Sequence, residues 1–172
     1  GGDITVDGIT EPNSDTVNLV TLDSGSSINF PTAASTFDSL DADADDGIAL
    51  NVDVSSDEGG LSFDGDANDT DDAGADDIAF GAGVTLTATA GGITLDATSG
   101  DMSGAGVLTL DATGGVTVND TLVTGGLTTI DADSDSVGDD GDLNVADGAT
   151  LGDGTQVLDV MANDVLLNTS GM

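Results

Sequence analysis

Val84-Thr85-Leu86-Thr87-Ala88, Ile93-Thr94-Leu95-Asp96-Ala97, Leu108-Thr109-Leu110-Asp111-Ala112 and Val116-Thr117-Val118 follow one another along the chain, separated by Gly, Asp and Ser. Each sets aliphatic side chains on one face and Thr or Asp on the other, the period-two signature of a half-buried strand. The rhythm continues through Leu127-Thr128-Thr129-Ile130, Leu143-Asn144-Val145, Val157-Leu158-Asp159-Val160 and Val165-Leu166-Leu167-Asn168. Segments this short and evenly punctuated leave no room for helical crossovers, so the sequence predicts an all-β fold.

The phrase Leu-Asp-Ala or Ile-Asp-Ala recurs at Leu40, Leu95, Leu110 and Ile130, with final spacings of 15 and 20 residues. A loose period of this kind is expected of a solenoid whose coils keep their strands and vary their turns. Before residue 81 the pattern is less regular, with predicted strands at Ile4–Val6, Val17–Leu22, Ser27–Phe30, Ile48–Val54, Leu61–Phe63 and Ile78–Phe80, and turns or strand ends at Pro12 and Pro31. The chain thus reads as one continuous domain: an irregular β region over 1–80 with an acidic excursion loop at 64–77, then regular solenoid-like repeats over 81–172. The competing architecture is a β-sandwich or jelly-roll fibre subunit completed by a donated strand, Ile4-Thr5-Val6 or the last strand.

Composition restricts what such a fold can do. Over 172 residues there are 34 acidic side chains and no Lys, Arg or His, a formal charge of −34. No internal ion pair to a basic side chain can form, and only solvent cations can neutralise the surface. Only Glu11 and Glu58 are glutamates and Gln156 is the single glutamine, so the usual solvent-facing helix formers are missing. The hydrophobic fraction of 37% supports a packed core, and that core is aliphatic: there is no Trp or Tyr, and all four Phe precede residue 81. Without Cys there are no disulfides or thiolate metal sites. No apolar run is long enough to cross a membrane as a helix. The start at Gly1-Gly2-Asp3 reads as a processed or excerpted product.

The segment Leu143-Asn144-Val145-Ala146-Asp147-Gly148-Ala149-Thr150-Leu151, with the following Val157 to Gly171 and the run Gly83 to Thr121, resembles the repeats of filamentous-haemagglutinin-type exoproteins and autotransporter passengers. The resemblance covers roughly residues 81–171. It implies a right-handed parallel β-helix, export across an outer membrane, and a role in adhesion or in building a biofilm matrix.

Three Asp clusters have the alternating spacing that lets a turn present several carboxylates to one hard cation: Asp41, Asp43 and Asp45; Asp64, Asp66 and Asn68; and Asp131, Asp133 and Asp135. Structural Ca²⁺ is the expected cofactor, against the plainer reading of a solvated acidic surface. The first cluster lacks the Gly and Glu positions of an EF-hand. Sequons at Asn68, Asn119 and Asn168 permit surface glycosylation. No catalytic residues stand out, and with no Arg, His, Tyr or Trp to grip a sugar the paired carboxylates do not read as a glycosidase. The chain is therefore expected not to be an enzyme.

Like-charge repulsion excludes nucleic acid and anionic membranes as direct partners. The absence of Lys and Arg removes every tryptic cleavage site, an advantage for material left outside the cell. The expectation is an extracellular, cell-surface structural protein of a fibre or adhesin, self-assembling with copies of itself or adjoining segments of a longer chain and bound by divalent cations. An S-layer or sheath subunit and a donor-strand, pilin-like fibre subunit are structural alternatives. A soluble calcium-, ice- or mineral-binding module is an alternative of another class, requiring a flat Thr or Asp ladder.

Overall fold

The computed structural model describes residues 2–11, 15–70, 75–138 and 140–167. Strands succeed one another along the chain, and no helix occurs among the described residues. Strands β1 (Ile4–Thr5) and β2 (Thr16–Thr21) form the first coil, and β3 (Ile28–Phe30), β4 (Ser35–Phe37) and β5 (Ser39–Ala44) the second. The third comprises β6 (Ile48–Leu50), β7 (Val54–Ser56) and β8 (Leu61–Asp64), and the fourth β9 (Ile78–Phe80), β10 (Val84–Ala88) and β11 (Ile93–Asp96). They are followed by β12 (Met102–Gly104), β13 (Leu108–Ala112) and β14 (Val116–Val118), then β15 (Leu122–Thr124), β16 (Leu127–Asp131) and β17 (Leu143–Val145). The last described coil carries β18 (Val157–Met161) and β19 (Val165–Leu167). Isolated bridges, Thr10 to Thr36 and Leu122 to Leu151, mark the strand positions that the first and last coils leave short.

Each coil lays a strand on the same position of its predecessor. Sheet A is ordered β1-β3-β6-β9-β12-β15, sheet B β4-β7-β10-β13-β16-β18, and sheet C β2-β5-β8-β11-β14-β17-β19. All strand pairings are parallel. The chain is therefore a three-sided parallel β-solenoid of about seven turns. A sandwich built from antiparallel sheets is excluded.

The short alternating segments fold this way because a coil buries only every second residue. Inward positions stack in register into apolar columns: Ile28, Ile48, Ile78, Met102 and Leu122 in sheet A; Val54, Leu86, Leu110, Ile130 and Val160 in sheet B; Phe63, Leu95, Val118 and Val145 in sheet C. All but Val160 are buried. The four Phe fill the interior of the second to fourth coils, where Phe30 and Phe63 meet edge-to-face at 6.2 Å. At the corner before sheet C the backbones come so close that only glycine fits: a Cβ on Gly91 would lie 2.6 Å from the backbone of Gly59 and Gly60.

Several sequence expectations need correction. Ile48–Val54 is not one strand: β6 ends at Leu50 and β7 begins at Val54, with a corner between. Asp41 and Asp43 lie within β5 rather than in a loop, because Leu40, Ala42 and Ala44 point inward and leave the carboxylates to the outer face. The 15-residue spacing of Leu95 and Leu110 is not a coil length, since they belong to different sheets, whereas Leu110 and Ile130, 20 apart, are true register partners. Pro12 lies outside the described residues.

The last described coil is open. Val157, Leu158, Val165 and Leu167 are exposed, and Leu143, Val145, Leu151, Leu158, Val160 and Leu167 line an apolar hollow of about 400 Å³.

Candidate functional site

In-register stacking turns outward residues into columns about 4.8 Å apart from strand to strand. On sheet C one column runs Asn18, Asp41, Ser62, Thr94, Thr117 and Asn144. Beside it runs Asp43, Asp64 and Asp96. Asn119, one residue beyond β14, extends this second column, its Nδ2 donating to Asp96 Oδ2 at 2.8 Å. On sheet B, Thr85, Thr109, Thr129 and Asp159 form one column and Ser55, Thr87, Asp111 and Asp131 the next.

Three stacked carboxylates without a basic side chain in the protein carry an electrostatic cost, and their protonation shows it. Asp64 is pushed up to about 6, first by burial and then by the neighbouring charges of Asp96, Asp43 and Asp69, against the stabilising N–H of Asp66. Burial and the adjacent Asp41 push Asp43 upward as well. Asp120 is raised by burial and by the charges of Asp96 and Asp101, although Ala97 N–H donates to its Oδ2 at 3.1 Å.

The stacking also joins two clusters that are separate in sequence. The turn after β8 lies directly on the turn after β5: Ala67 N–H donates to the Ala44 carbonyl at 2.9 Å, and Asn68 Nδ2 donates to Asp45 Oδ1. Asp45 is 2% exposed and its Oδ2 has no hydrogen-bond partner among the described residues. Asp66 is wholly buried, its Oδ1 accepting from Thr70 N–H at 3.3 Å and its Oδ2 from Ser99 N–H at 2.8 Å.

The third cluster stands on another side of the solenoid. Asp131 ends β16 on the outer face of sheet B, while Asp133 and Asp135 shape the turn that follows, Asp135 Oδ1 accepting from Val137 N–H at 2.9 Å. Burial, then the charges of Asp135, Asp140 and Asp131, raise Asp133. Among the described residues no three acidic side chains are placed to hold one metal ion. Of the sequon asparagines, Asn68 is exposed, Asn119 is engaged with Asp96, and Asn168 lies outside the described residues.

Sequence reading missed Asp96, the column it shares with Asp43 and Asp64, and Asp120 beside it. Only register brings residues 43, 64 and 96 side by side, since their separations along the chain follow no fixed interval. A surface groove of about 550 Å³ is lined by Ser103, Thr124, Asp153, Thr155 and Gln156 among others, and Asp153 is its only titratable described residue. The Thr155 hydroxyl and N–H hold that carboxyl below its ordinary value.

Comparison with known proteins finds no matching family, no matching curated protein and no matching solved structure. The fold defines the chain as a parallel β-solenoid.

Proposed function

We propose that the chain is a structural segment of an extracellular, cell-surface fibre or adhesin, non-enzymatic and stabilised by divalent cations. The observation that carries this reading is the open last coil, whose Val157, Leu158, Val165 and Leu167 offer an apolar surface and free strand edges to another coil of the same kind. That coil belongs to a second copy or to adjoining chain. The lack of tryptic sites and the purely acidic surface fit material that persists outside a cell and repels nucleic acid and anionic lipid.

Electron microscopy of the purified chain over a range of concentrations, with and without Ca²⁺, tests this. Filaments thickening neither with time nor with salt, and lost in Leu158→Asp, are expected. A chain that stays monomeric as concentration and Ca²⁺ rise overturns the reading.

A second reading is favoured by the adjacent columns of sheet B, Thr85, Thr109 and Thr129 beside Thr87, Asp111 and Asp131. A periodic hydroxyl and carboxylate lattice suits a periodic ligand such as a mineral or ice surface. Adsorption to calcium carbonate or ice that is lost in Thr109→Leu would support it over the fibre.

A further inference from the structure

We infer that the first coil of one copy stacks on the last described coil of another, head to tail, in the same register that joins coil to coil within the solenoid. This rests on the fibre reading above and names a second copy as the occupant of the open end.

The apolar columns of all three sheets match across such a junction. In sheet A the inward column that starts at Ile4 ends at Leu151. In sheet B, Ile9 stands beside the Thr10 bridge at the head of the column through Ser35, Val54 and Leu86 that ends at Val160. In sheet C two columns run from Val17 to Val165 and from Leu19 to Leu167. One further strand spacing, about 4.8 Å along the axis, carries Leu151 onto Ile4 of the next copy, Val160 onto Ile9, Val165 onto Val17 and Leu167 onto Leu19. Aliphatic meets aliphatic on every side, and the hollow of about 400 Å³ in the last coil receives side chains of the kind that fill the interior.

The outward positions at the two ends differ from those between them. Met161 ends the column of Ser55, Thr87, Asp111 and Asp131, and Leu166 ends that of Thr94, Thr117 and Asn144. At the other end Val20 stands where Asp43 and Asp64 stand in the next two coils, so the acidic column stops short of the junction. Of the twelve exposed large apolar side chains among the described residues, all but Val107, Leu127 and Val137 lie on the first or last coil. A surface with no basic group repels its own copies, yet the register sets Met161 on Thr10 and Leu166 on Asn18, with no charge on either side.

Polarity follows from the sheets. Every strand pairing is parallel, and two last coils turned face to face would run their strands in opposite directions and lose the columns. The junction therefore joins two different faces, and copies add along a line without closing into a ring.

The test is sedimentation velocity of the intact chain in about 1 M NaCl, where repulsion between copies is screened beyond about 3 Å. The parent should associate into ever longer species as its concentration rises. Ile9→Asp and Leu167→Asp alter side chains that solvent already reaches, and each variant alone should stay monomeric. Mixed in equal amounts they should form dimers of twice the monomer mass and nothing larger, because the intact last coil of one accepts the intact first coil of the other. The chain has no Cys, so oxidation of a Val17→Cys, Val165→Cys variant should give a ladder of disulfide-linked oligomers, neighbouring strands lying within disulfide reach. A Val17→Cys, Leu151→Cys variant, altered on two different sheets, should give none. Dimers in either single Asp variant, a mixture that stays monomeric, or equal ladders from both Cys pairs overturns the head-to-tail junction while leaving a fibre joined in another way. A parent chain that is monomeric throughout overturns the fibre reading as well.

Discussion

Replacing Asp64 by Asn should make the protein more stable at neutral pH, although it removes a charged surface group from a strand. Asp64 sits between Asp43 and Asp96 in register, and its carboxyl has been pushed from the ordinary 3.8 to about 6. Between those values the folded state binds the proton more tightly than the unfolded chain. Stability therefore rises as pH falls from about 6 toward 3.8 and is lost as pH rises through 6. A difference of roughly two pH units corresponds to ~3 kcal/mol at full strength. Asp64 is only partly buried, so solvent screening reduces this to about 1–2 kcal/mol.

Thermal unfolding in EDTA at low salt is the assay. At pH 7.5 the Asp64→Asn protein should melt about 2–8 °C above its parent, and at pH 4.5 the two should nearly coincide. The parent itself should melt higher at pH 4.5 than at pH 7.5. Carboxyls held below their usual value, such as Asp7 by Thr32 and Ala33, act in the opposite direction, but only at pH below their ordinary range. An Asp64→Asn protein that melts at or below its parent at pH 7.5 would refute the reasoning.

Leu95→Ala empties an inward position between Phe63 and Val118, and should cost about 2–5 kcal/mol in urea unfolding. Thr94→Ala, one residue away on the outer face, should change stability by less than about 0.5 kcal/mol. Equal effects would mean the inward and outward faces are misassigned. Gly91→Val forces a side chain against the Gly59 and Gly60 backbones and should cost at least about 1–3 kcal/mol, seen as a lower melting temperature.

The strand rhythm after residue 81 was legible because β10, β11, β13 and β14 each contain two or three large aliphatics at alternate positions. Strands β4, β12 and β15 left weaker marks: Ser35-Thr36-Phe37, Met102-Ser103-Gly104 and Leu122-Val123-Thr124 each have a small or polar residue at one of their two alternate positions. The Asp-rich stretch from Asp41 hid β5, because charge reads as loop, yet a strand with one wet face accepts Asp at every outward position while Ala42 and Ala44 fill the inside. The candidate sites were half visible. Local spacing picked out Asp45 and Asn68, but in different clusters, and their meeting depends on how many residues each coil spends in its corners. The whole coil accordingly varies from 20 residues between Ile28 and Ile48 to 30 between Ile48 and Ile78, and nothing in a single sequence announces it.

The direction of the backbone hydrogen bonds has a mechanical consequence. Because the strands run across the long axis, the bonds between coils lie along it, and tension applied at the two ends opens them a few at a time. Each coil so released pays out slack: the 20 residues from Ile28 to Ile48 advance the folded rod by one strand spacing, about 4.8 Å, but reach some 70 Å when drawn taut. The rod yields in small successive steps, each lengthening the tether more than tenfold locally.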